Sequence, residues 1–190
     1  MTTKRVGVFY ATREGQAHEV ARFIASALVA RGLEVALHEV REAEAERALT
    51  LSDAAVVVAS VHIGQHEREA VDFVRMHPRL HAIPSSFVSV SNAEAHAELA
   101  NVSAEERAAA AHQVDVQVQR FLDRTKWHPA HVQPVAGALL YTHYNALVRW
   151  VMRRIAAAEH LPTDARRDYE MTNWSTVEAF AKRLAEELEV

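Results

Sequence analysis

The stretch that decides the fold reads R-V-G-V-F-Y-A over residues 5–11, followed by T-R-E-G-Q-A over residues 12–17. The first part is short and rich in β-branched and aromatic residues, which is typical of a buried strand that ends in a turn. Over residues 16–31 apolar side chains recur every four positions, and Gly32 follows where the end of a helix favours glycine. These residues predict a strand, a tight loop and a helix packed on a sheet.

The same alternation continues along the chain. Further strands are predicted at residues 34–39, 54–60, 87–91 and 132–139, and further helices at 66–77, at 103–125 and from about 173–175 onward. Ser103 and Glu106 are spaced as a capping box at the start of the long helix. Strands that alternate with helices predict an α/β fold with a doubly wound parallel sheet, because parallel neighbours need crossover helices.

Ligands of such sheets bind at the carboxyl ends of the strands, where the strand order reverses. In the order 2-1-3-4-5 this point lies between the first and third strands. The loops after those strands should therefore face the ligand.

The loop after the first predicted strand has the composition of a phosphate site. Thr12 and Gln16 offer hydrogen-bond donors, and Arg13 adds a positive charge. Gly15 allows close backbone approach. A helix begins directly afterwards, and its free amides and dipole attract anions. The same residues would also suit a plain strand-to-helix turn in which Gly15 serves only the backbone conformation.

The loops after the third and fourth predicted strands are small and polar. They read A-S-V-H-I-G-Q-H over residues 59–66 and S-V-S-N-A over residues 89–93. Such loops can present backbone amides and carbonyls to the edge of a planar heterocycle, and they can equally be ordinary loops.

One connection is much longer than the two to six residues usual in this fold class. It is an insertion of about residues 140–172, within a single predicted domain of residues 1–190. A helix predicted over residues 143–158 carries Arg149, Arg153 and Arg154, no acidic residue, and apolar side chains that include Trp150. A basic amphipathic helix can rest on anionic lipid, or it can pack on its own domain with its arginines in solvent.

Several motifs together resemble a known family. They are V-F-Y-A-T-R-E-G-Q-A (8–17), V-V-V-A-S-V-H-I-G (56–64), F-V-S-V-S-N (87–92), K-W-H-P (126–129), V-A-G-A-L-L-Y (135–141) and D-Y-E-M-T-N-W (168–174). In this order the sequence resembles the flavodoxin-like, menaquinone-dependent protoporphyrinogen oxidase family. The resemblance implies a flavodoxin-like five-stranded parallel sheet in the order 2-1-3-4-5 and one non-covalently bound FMN.

The resemblance also implies roles for particular residues. Those implied to bind the FMN phosphate are Thr12, Arg13, Gly15, Gln16 and Ala17. Those implied to bind the isoalloxazine ring and ribityl chain are Ser60, Val61, His62, Ile63, Gly64, Ser91 and Asn92. Those implied to contact substrate, quinone or membrane are Tyr141, Arg149, Trp150, Arg153 and Arg154. The implied reaction passes electrons from a porphyrinogen-like substrate through FMN to a menaquinone in heme biosynthesis, with His62 as a candidate for tuning the flavin.

The composition excludes several other functions. The 190 residues are 49% hydrophobic and carry a net charge of -4, which gives no global basic field for nucleic acid. The absence of cysteine excludes disulfides, thiolate metal sites and dithiol redox chemistry. The twelve histidines are scattered, and no metal site is predicted.

The sequence also indicates a location. Its first residues run straight into a strand-like segment without the apolar run of a signal peptide, and no stretch has the roughly 18 uninterrupted apolar residues of a spanning helix. We expect a cytoplasmic protein, with peripheral contact at the inner face of the cell membrane as one open option.

Two other functions remain open at this stage. One is a flavodoxin-type electron carrier, although the modest net charge and the arginine-rich insertion argue against it. The other is a flavin-free binding module, because Ala11 and Ala17 stand where loops of this type often carry hydroxyls. A phospho-receiver domain is set aside, since Thr12-Arg13 and Ala59-Ser60 occupy the places of its acidic residues.

Overall fold

The computed structural model describes residues 3–98, 103–139, 141–143, 146–158 and 161–188. Its strands are β1 (Arg5–Ala11), β2 (Glu34–Glu39), β3 (Ala54–His62), β4 (Gln65–His66), β5 (Ser85–Ser91), β6 (His131–Ala136), β7 (Ala138–Leu139) and β8 (Tyr169–Glu170). Its α-helices are α1 (Gln16–Val29), α2 (Ala43–Thr50), α3 (Arg68–Met76), α4 (Asn92–Glu98), α5 (Ala104–Thr125), α6 (Ala146–Ala158) and α7 (Trp174–Leu188). Short 3-10 helices cover Pro78–His81 and Tyr141–His143.

The central sheet has the predicted order. Its parallel strands run β2-β1-β3-β5-β6, so that β5 and β6 are the fourth and fifth strands expected from the sequence. β1 pairs in parallel with β2 and β3 on its two sides, with Val8 opposite both Leu37 and Val56. The switch point therefore lies between β1 and β3, as the sequence predicts.

Helices cover both faces of the sheet. Alternate residues of β1 point to opposite faces, so Val8 packs with α1 and α7 while Phe9 packs with α3 and α5. On the second face Phe87 of β5 stacks on Phe121 of α5, with ring centroids 4.3 Å apart and planes 6° apart. Trp127 is fully buried beside this pair. Contiguous apolar strands such as β3 form because both of their faces are covered in this way.

Some boundaries differ from the sequence-based expectation. The fifth strand was expected to reach residue 139, but β6 ends at Ala136, and Ala138–Leu139 pairs antiparallel with β8 in a separate two-stranded sheet. The short β4 and the helix α4 were not predicted. The capping box is confirmed, since the Ser103 hydroxyl accepts from the Glu106 amide at 3.2 Å while the Glu106 carboxylate accepts from the Ser103 amide at 2.8 Å.

The insertion has a small core of its own. Leu139, Tyr141, Ala156 and Leu161 are buried together, and α6 provides the described part of the helix predicted over residues 143–158. Residues 140, 144, 145, 159 and 160 of the predicted insertion lie outside the described residues. None of the described helices is long and apolar enough to cross a membrane.

Candidate functional site

A cleft opens at the carboxyl ends of β1, β3 and β5. Its cavity has a volume of about 120 Å³ and opens to solvent. Ten residues predicted to bind a cofactor line it: Thr12, Arg13, Gln16, Ser60, Val61, His62, Ile63, Gly64, Ser91 and Asn92. Gly15 and Ala17 are not among the described lining residues. The sheet topology thus brings three separate loops to one place.

The loop after β1 leaves the start of α1 without a side-chain cap. Gly15 occupies the N-cap position at φ 98°, a left-handed conformation that favours glycine, and its amide donates to Thr12 Oγ1 at 2.9 Å. The first intrahelical bond runs from the Glu19 amide to the Gly15 carbonyl. The amides of the first helical turn are therefore the donors that an anion could use. Ala17 is fully buried, so only its backbone could contribute.

The side chain of Gln16 also makes hydrogen bonds to the end of the insertion. Its amide nitrogen donates to Thr172 Oγ1 at 2.7 Å and to Glu170 Oε1 at 3.0 Å. Thr172 Oγ1 in turn donates to the Ala136 carbonyl at 2.8 Å. Gln16 and Thr172 are both buried, so this network fastens the end of the insertion to α1 and to β6.

An acidic residue that the sequence did not reveal lies in the cleft wall. Glu67 is only 6% exposed, and its Oε2 accepts from Arg13 Nη2 at 3.1 Å. Its other oxygen, Oε1, has no hydrogen-bond partner among the described residues. The sequence places Glu67 inside a predicted helix over residues 66–77, whereas it precedes α3 as the N-cap residue.

A two-residue hairpin turn forms one lip of the cleft. Val61 pairs with His66 and His62 with Gln65, which leaves Ile63 and Gly64 as the turn, at φ 48° and 70°. Such turns favour Asn-Gly, and a β-branched residue is strained there. Ile63 is nevertheless 82% exposed at the cleft, so an apolar side chain is presented to solvent on a strained backbone.

The opposite lip joins β5 to the start of the insertion. The Gly137 amide donates to the Ser91 carbonyl at 3.0 Å. A Cβ on Gly137 would lie 3.0 Å from Asn92 Oδ1, so glycine permits this close approach. The Ser91 hydroxyl accepts from the Glu94 amide at 3.2 Å near the start of α4.

Two histidines near the cleft have different surroundings. His62 lines the cleft itself. His66 lies beneath it, in hydrogen-bond contact with Ser89 Oγ at 2.8 Å and in ring contact with Phe87 and Phe121. Burial lowers the pKa of His66 from 6.5 to about 3, so this imidazole is neutral and structural at physiological pH.

The five insertion residues predicted to meet substrate or membrane lie apart from the described lining of the cleft. Tyr141 is fully buried, and its hydroxyl donates to the Pro162 carbonyl at 2.7 Å. Arg149 and Arg153 donate to backbone carbonyls of the insertion, at 3.0 and 3.1 Å respectively. Trp150 is 58% exposed, and the Arg154 guanidinium lies 5.4 Å from its ring centre. Trp150 and Arg154 therefore present an apolar ring and a positive charge side by side at the surface.

Comparison with known proteins agrees with this architecture. The chain is similar to protoporphyrinogen IX dehydrogenase [quinone] of Escherichia coli (strain K12), at 29% identity over 94% of this chain and 93% of that protein. Among solved structures it resembles a short-chain flavodoxin associated with a non-canonical PDU bacterial microcompartment (TM-score 0.54, 15% identity, 97% of this chain and 99% of that one). It also resembles the Streptococcus pneumonia TIGR4 flavodoxin (TM-score 0.53, 15% identity, 96% and 99%).

The two flavodoxin structures support the fold, and the relationship extends to the sequence. Residues 7–166 match the family of flavodoxin domains, which covers β1 to the insertion and indicates a flavin cofactor. This chain belongs to the flavodoxin domain family.

Proposed function

We propose that this protein is an FMN-dependent oxidoreductase that takes electrons from a porphyrinogen and passes them to a quinone, as a menaquinone-linked step of heme biosynthesis. The observation that carries the proposal is the similarity to protoporphyrinogen IX dehydrogenase [quinone] along 94% of the chain, which includes the insertion. Flavin supplies the electron-transfer chemistry when it is bound, so the reaction needs no nucleophilic side chain.

The donors in the cleft fit a flavin with a terminal phosphate. The uncapped start of α1 and the Thr12 hydroxyl offer hydrogen bonds to the phosphate, and Arg13 offers a positive charge. The Glu67 carboxylate opposes an anion, but its pairing with Arg13 offsets part of that repulsion. These donors and the Arg13 guanidinium therefore lie at the β1 end of the cleft.

The remaining walls fit a planar ring. The hairpin tip at Ile63 and Gly64 lies on one side, and Ser91 with Asn92 lies on the other. Ile63 can exclude water from one face of the ring, and the polar loops can bind its edge. His62 lies in the same wall, where its ring nitrogens can hydrogen-bond to the flavin.

The insertion supports a contact with the membrane that holds the quinone. Trp150 and Arg154 are adjacent and exposed on α6, and this pair combines an apolar ring with a positive charge. Such a surface suits an anionic lipid headgroup region. We propose that α6 rests on the inner face of the cell membrane while the cleft remains in the cytoplasm.

One observation favours a second candidate function. Glu67 places a buried carboxylate in the cleft wall beside Arg13, and its negative charge disfavours an anionic ligand. A flavin-free binding module of the same fold would tolerate this charge better than a phosphate site does. The flavodoxin-type electron carrier has no comparable support, since the insertion is unnecessary for that role.

The first experiment is reconstitution with FMN, removal of free flavin by gel filtration and measurement of the visible absorption spectrum. Retained flavin absorption supports the proposal, whereas a colourless protein favours the binding module. A Gly15→Val variant is the control, because valine is strained at φ 98° and should disturb the phosphate loop.

The second experiment addresses the reaction. The flavin-loaded protein is mixed anaerobically with protoporphyrinogen, and porphyrin fluorescence is followed with and without a menaquinone analogue. Porphyrin that forms over many turnovers only when the quinone is present supports the proposal. Flavin that is reduced by other donors but never by protoporphyrinogen would refute the substrate assignment.

A further inference from the structure

Two buried acceptor oxygens in the wall of the cleft lack hydrogen-bond partners in the described part of the chain. They are Glu67 Oε1 and Gln117 Oε1. Both side chains line the same cleft, at 6% and 5% exposure. Buried acceptors are normally paired, and an unpaired one costs the fold its lost hydration. Two in one cleft indicate a ligand that brings its own donors.

Glu67 lies between the two loops that meet at the switch point. Its Oε2 accepts from Arg13 of the β1 loop at 3.1 Å, and its backbone amide donates to the carbonyl of Ser60 in β3 at 3.1 Å. Glu67 is therefore connected through its side chain to the loop after β1 and through its backbone to β3. In FMN a ribityl chain joins the phosphate to the ring, and Glu67 lies between the two parts of the cleft that would hold those groups.

Gln117 lies near the hairpin lip. It precedes Arg120 by about one turn of α5, and Arg120 Nη1 donates to the Gly64 carbonyl at 3.2 Å. Gln117 also lines a small neighbouring cavity with Gln65 and Phe121. This acceptor is thus associated with the end of the cleft that would hold the ring.

We propose that these two side chains recognise the donors of the flavin, with Glu67 accepting from a ribityl hydroxyl and Gln117 accepting from the ring N–H. The inference rests on the proposed flavin function and assigns specificity within it. It also explains why unpaired acceptors persist in the cleft: the protein without flavin bears their cost, and bound flavin removes it.

The test uses methionine at each position, because methionine has a similar unbranched length and makes no comparable hydrogen bond. The variants are Glu67→Met and Gln117→Met. Loss of Glu67 leaves no buried charge behind, since its partner Arg13 is 58% exposed. The matched control is Glu69→Gln on α3, which removes an acid that is 41% exposed and lies outside the described lining of the cleft.

Binding is measured by quenching of flavin fluorescence with three ligands. FMN has ring, ribityl chain and phosphate; riboflavin lacks the phosphate; lumiflavin carries a methyl group in place of the whole chain. Glu67→Met should weaken riboflavin binding roughly tenfold and leave lumiflavin unchanged. Gln117→Met should weaken all three flavins about fivefold, because all share the ring N–H. The control should match the unaltered protein.

Thermal unfolding without flavin separates recognition from a structural role. Both methionine variants should unfold at the same temperature as the unaltered protein or above it, because each removes an unpaired buried acceptor. If Glu67→Met bound riboflavin as tightly as the unaltered protein or more tightly, Glu67 would not recognise the ribityl chain. The same conclusion would follow if this variant bound riboflavin and lumiflavin equally more weakly and also unfolded at a lower temperature. Unchanged binding of all three flavins by Gln117→Met would overturn that residue's role.

The same titrations distinguish this inference from the proposed function. If the unaltered protein binds none of the three flavins, the flavin function is wrong and the recognition of its donors is wrong with it. If the unaltered protein binds flavin and the two variants bind it equally well, only the donor recognition is wrong.

Discussion

His66 should make the stability of this protein depend on pH between 7 and 5. The folded protein buries the neutral imidazole, and this burial lowers its pKa from 6.5 to about 3. The unfolded chain therefore binds one more proton than the folded protein between those two values. The stability linked to His66 is complete above pH 6.5 and is lost progressively as the pH falls towards 3.

The two pKa values set the size of the effect. With 6.5 for the unfolded chain and about 3 for the folded protein, linkage gives a loss of about 2 kcal/mol between pH 7 and pH 5. The total loss in the unaltered protein sums over every titratable group, so it does not isolate His66. The difference in stability between the unaltered protein and a His66 variant isolates the contribution of this residue.

The assay is urea unfolding followed by far-ultraviolet circular dichroism at pH 7, 6 and 5. His66→Phe keeps a ring against Phe87 and Phe121 but leaves the Ser89 hydroxyl without its partner, which subtracts the same amount from the stability of the variant at each pH. The gap between the unaltered protein and this variant should shrink by about 2 kcal/mol from pH 7 to pH 5.

A matched control replaces a histidine in a different environment. His112→Gln alters an exposed position on α5 and should follow the unaltered protein across the whole range. Parallel loss of stability in His66→Phe and the unaltered protein would show that the buried imidazole does not titrate as argued.

Three further changes have defined outcomes. Ile63→Asn should raise stability by about 1 kcal/mol in thermal unfolding, because Asn-Gly suits the turn with Gly64, and an unchanged or lower unfolding temperature would contradict the strain argument. Gln16→Leu should cost about 1–3 kcal/mol and speed proteolysis of the insertion, since the bond to Thr172 is lost; proteolysis at the original rate would contradict that role. Trp150→Ala should weaken binding to phosphatidylglycerol vesicles severalfold without lowering stability, and undiminished sedimentation with the vesicles would exclude the membrane contact.

The sequence predicts the main sheet and three of its loops for a physical reason. β1 and β3 are contiguous apolar runs that suit strands covered on both faces, and each ends in small or polar residues. The order of strands then brings those loops together, so most of the predicted cofactor residues meet in one cleft.

The features that the sequence does not predict depend on contacts between residues that are far apart in the chain. β4 has only two residues, and its turn carries isoleucine where a turn signal would be asparagine, so no local pattern reveals the hairpin. Because the hairpin is not predicted, the sequence assigns Glu67 to an ordinary position inside a helix. Likewise, nothing local indicates that Gln16 bonds to Thr172 or that Tyr141 is buried beneath α6.

The bond between Gln16 and Thr172 limits how the insertion can change during evolution. The insertion begins just after Gly137, which is in close contact with Asn92, and ends at Thr172, so both of its ends are attached to the walls of the cleft. A deletion that removed the whole segment would leave the buried Gln16 amide without its acceptors. Relatives can therefore vary the middle of the insertion, including α6, while the two attachment points hold the cleft in the same shape. New partners can be recruited through this middle region without rebuilding the cleft.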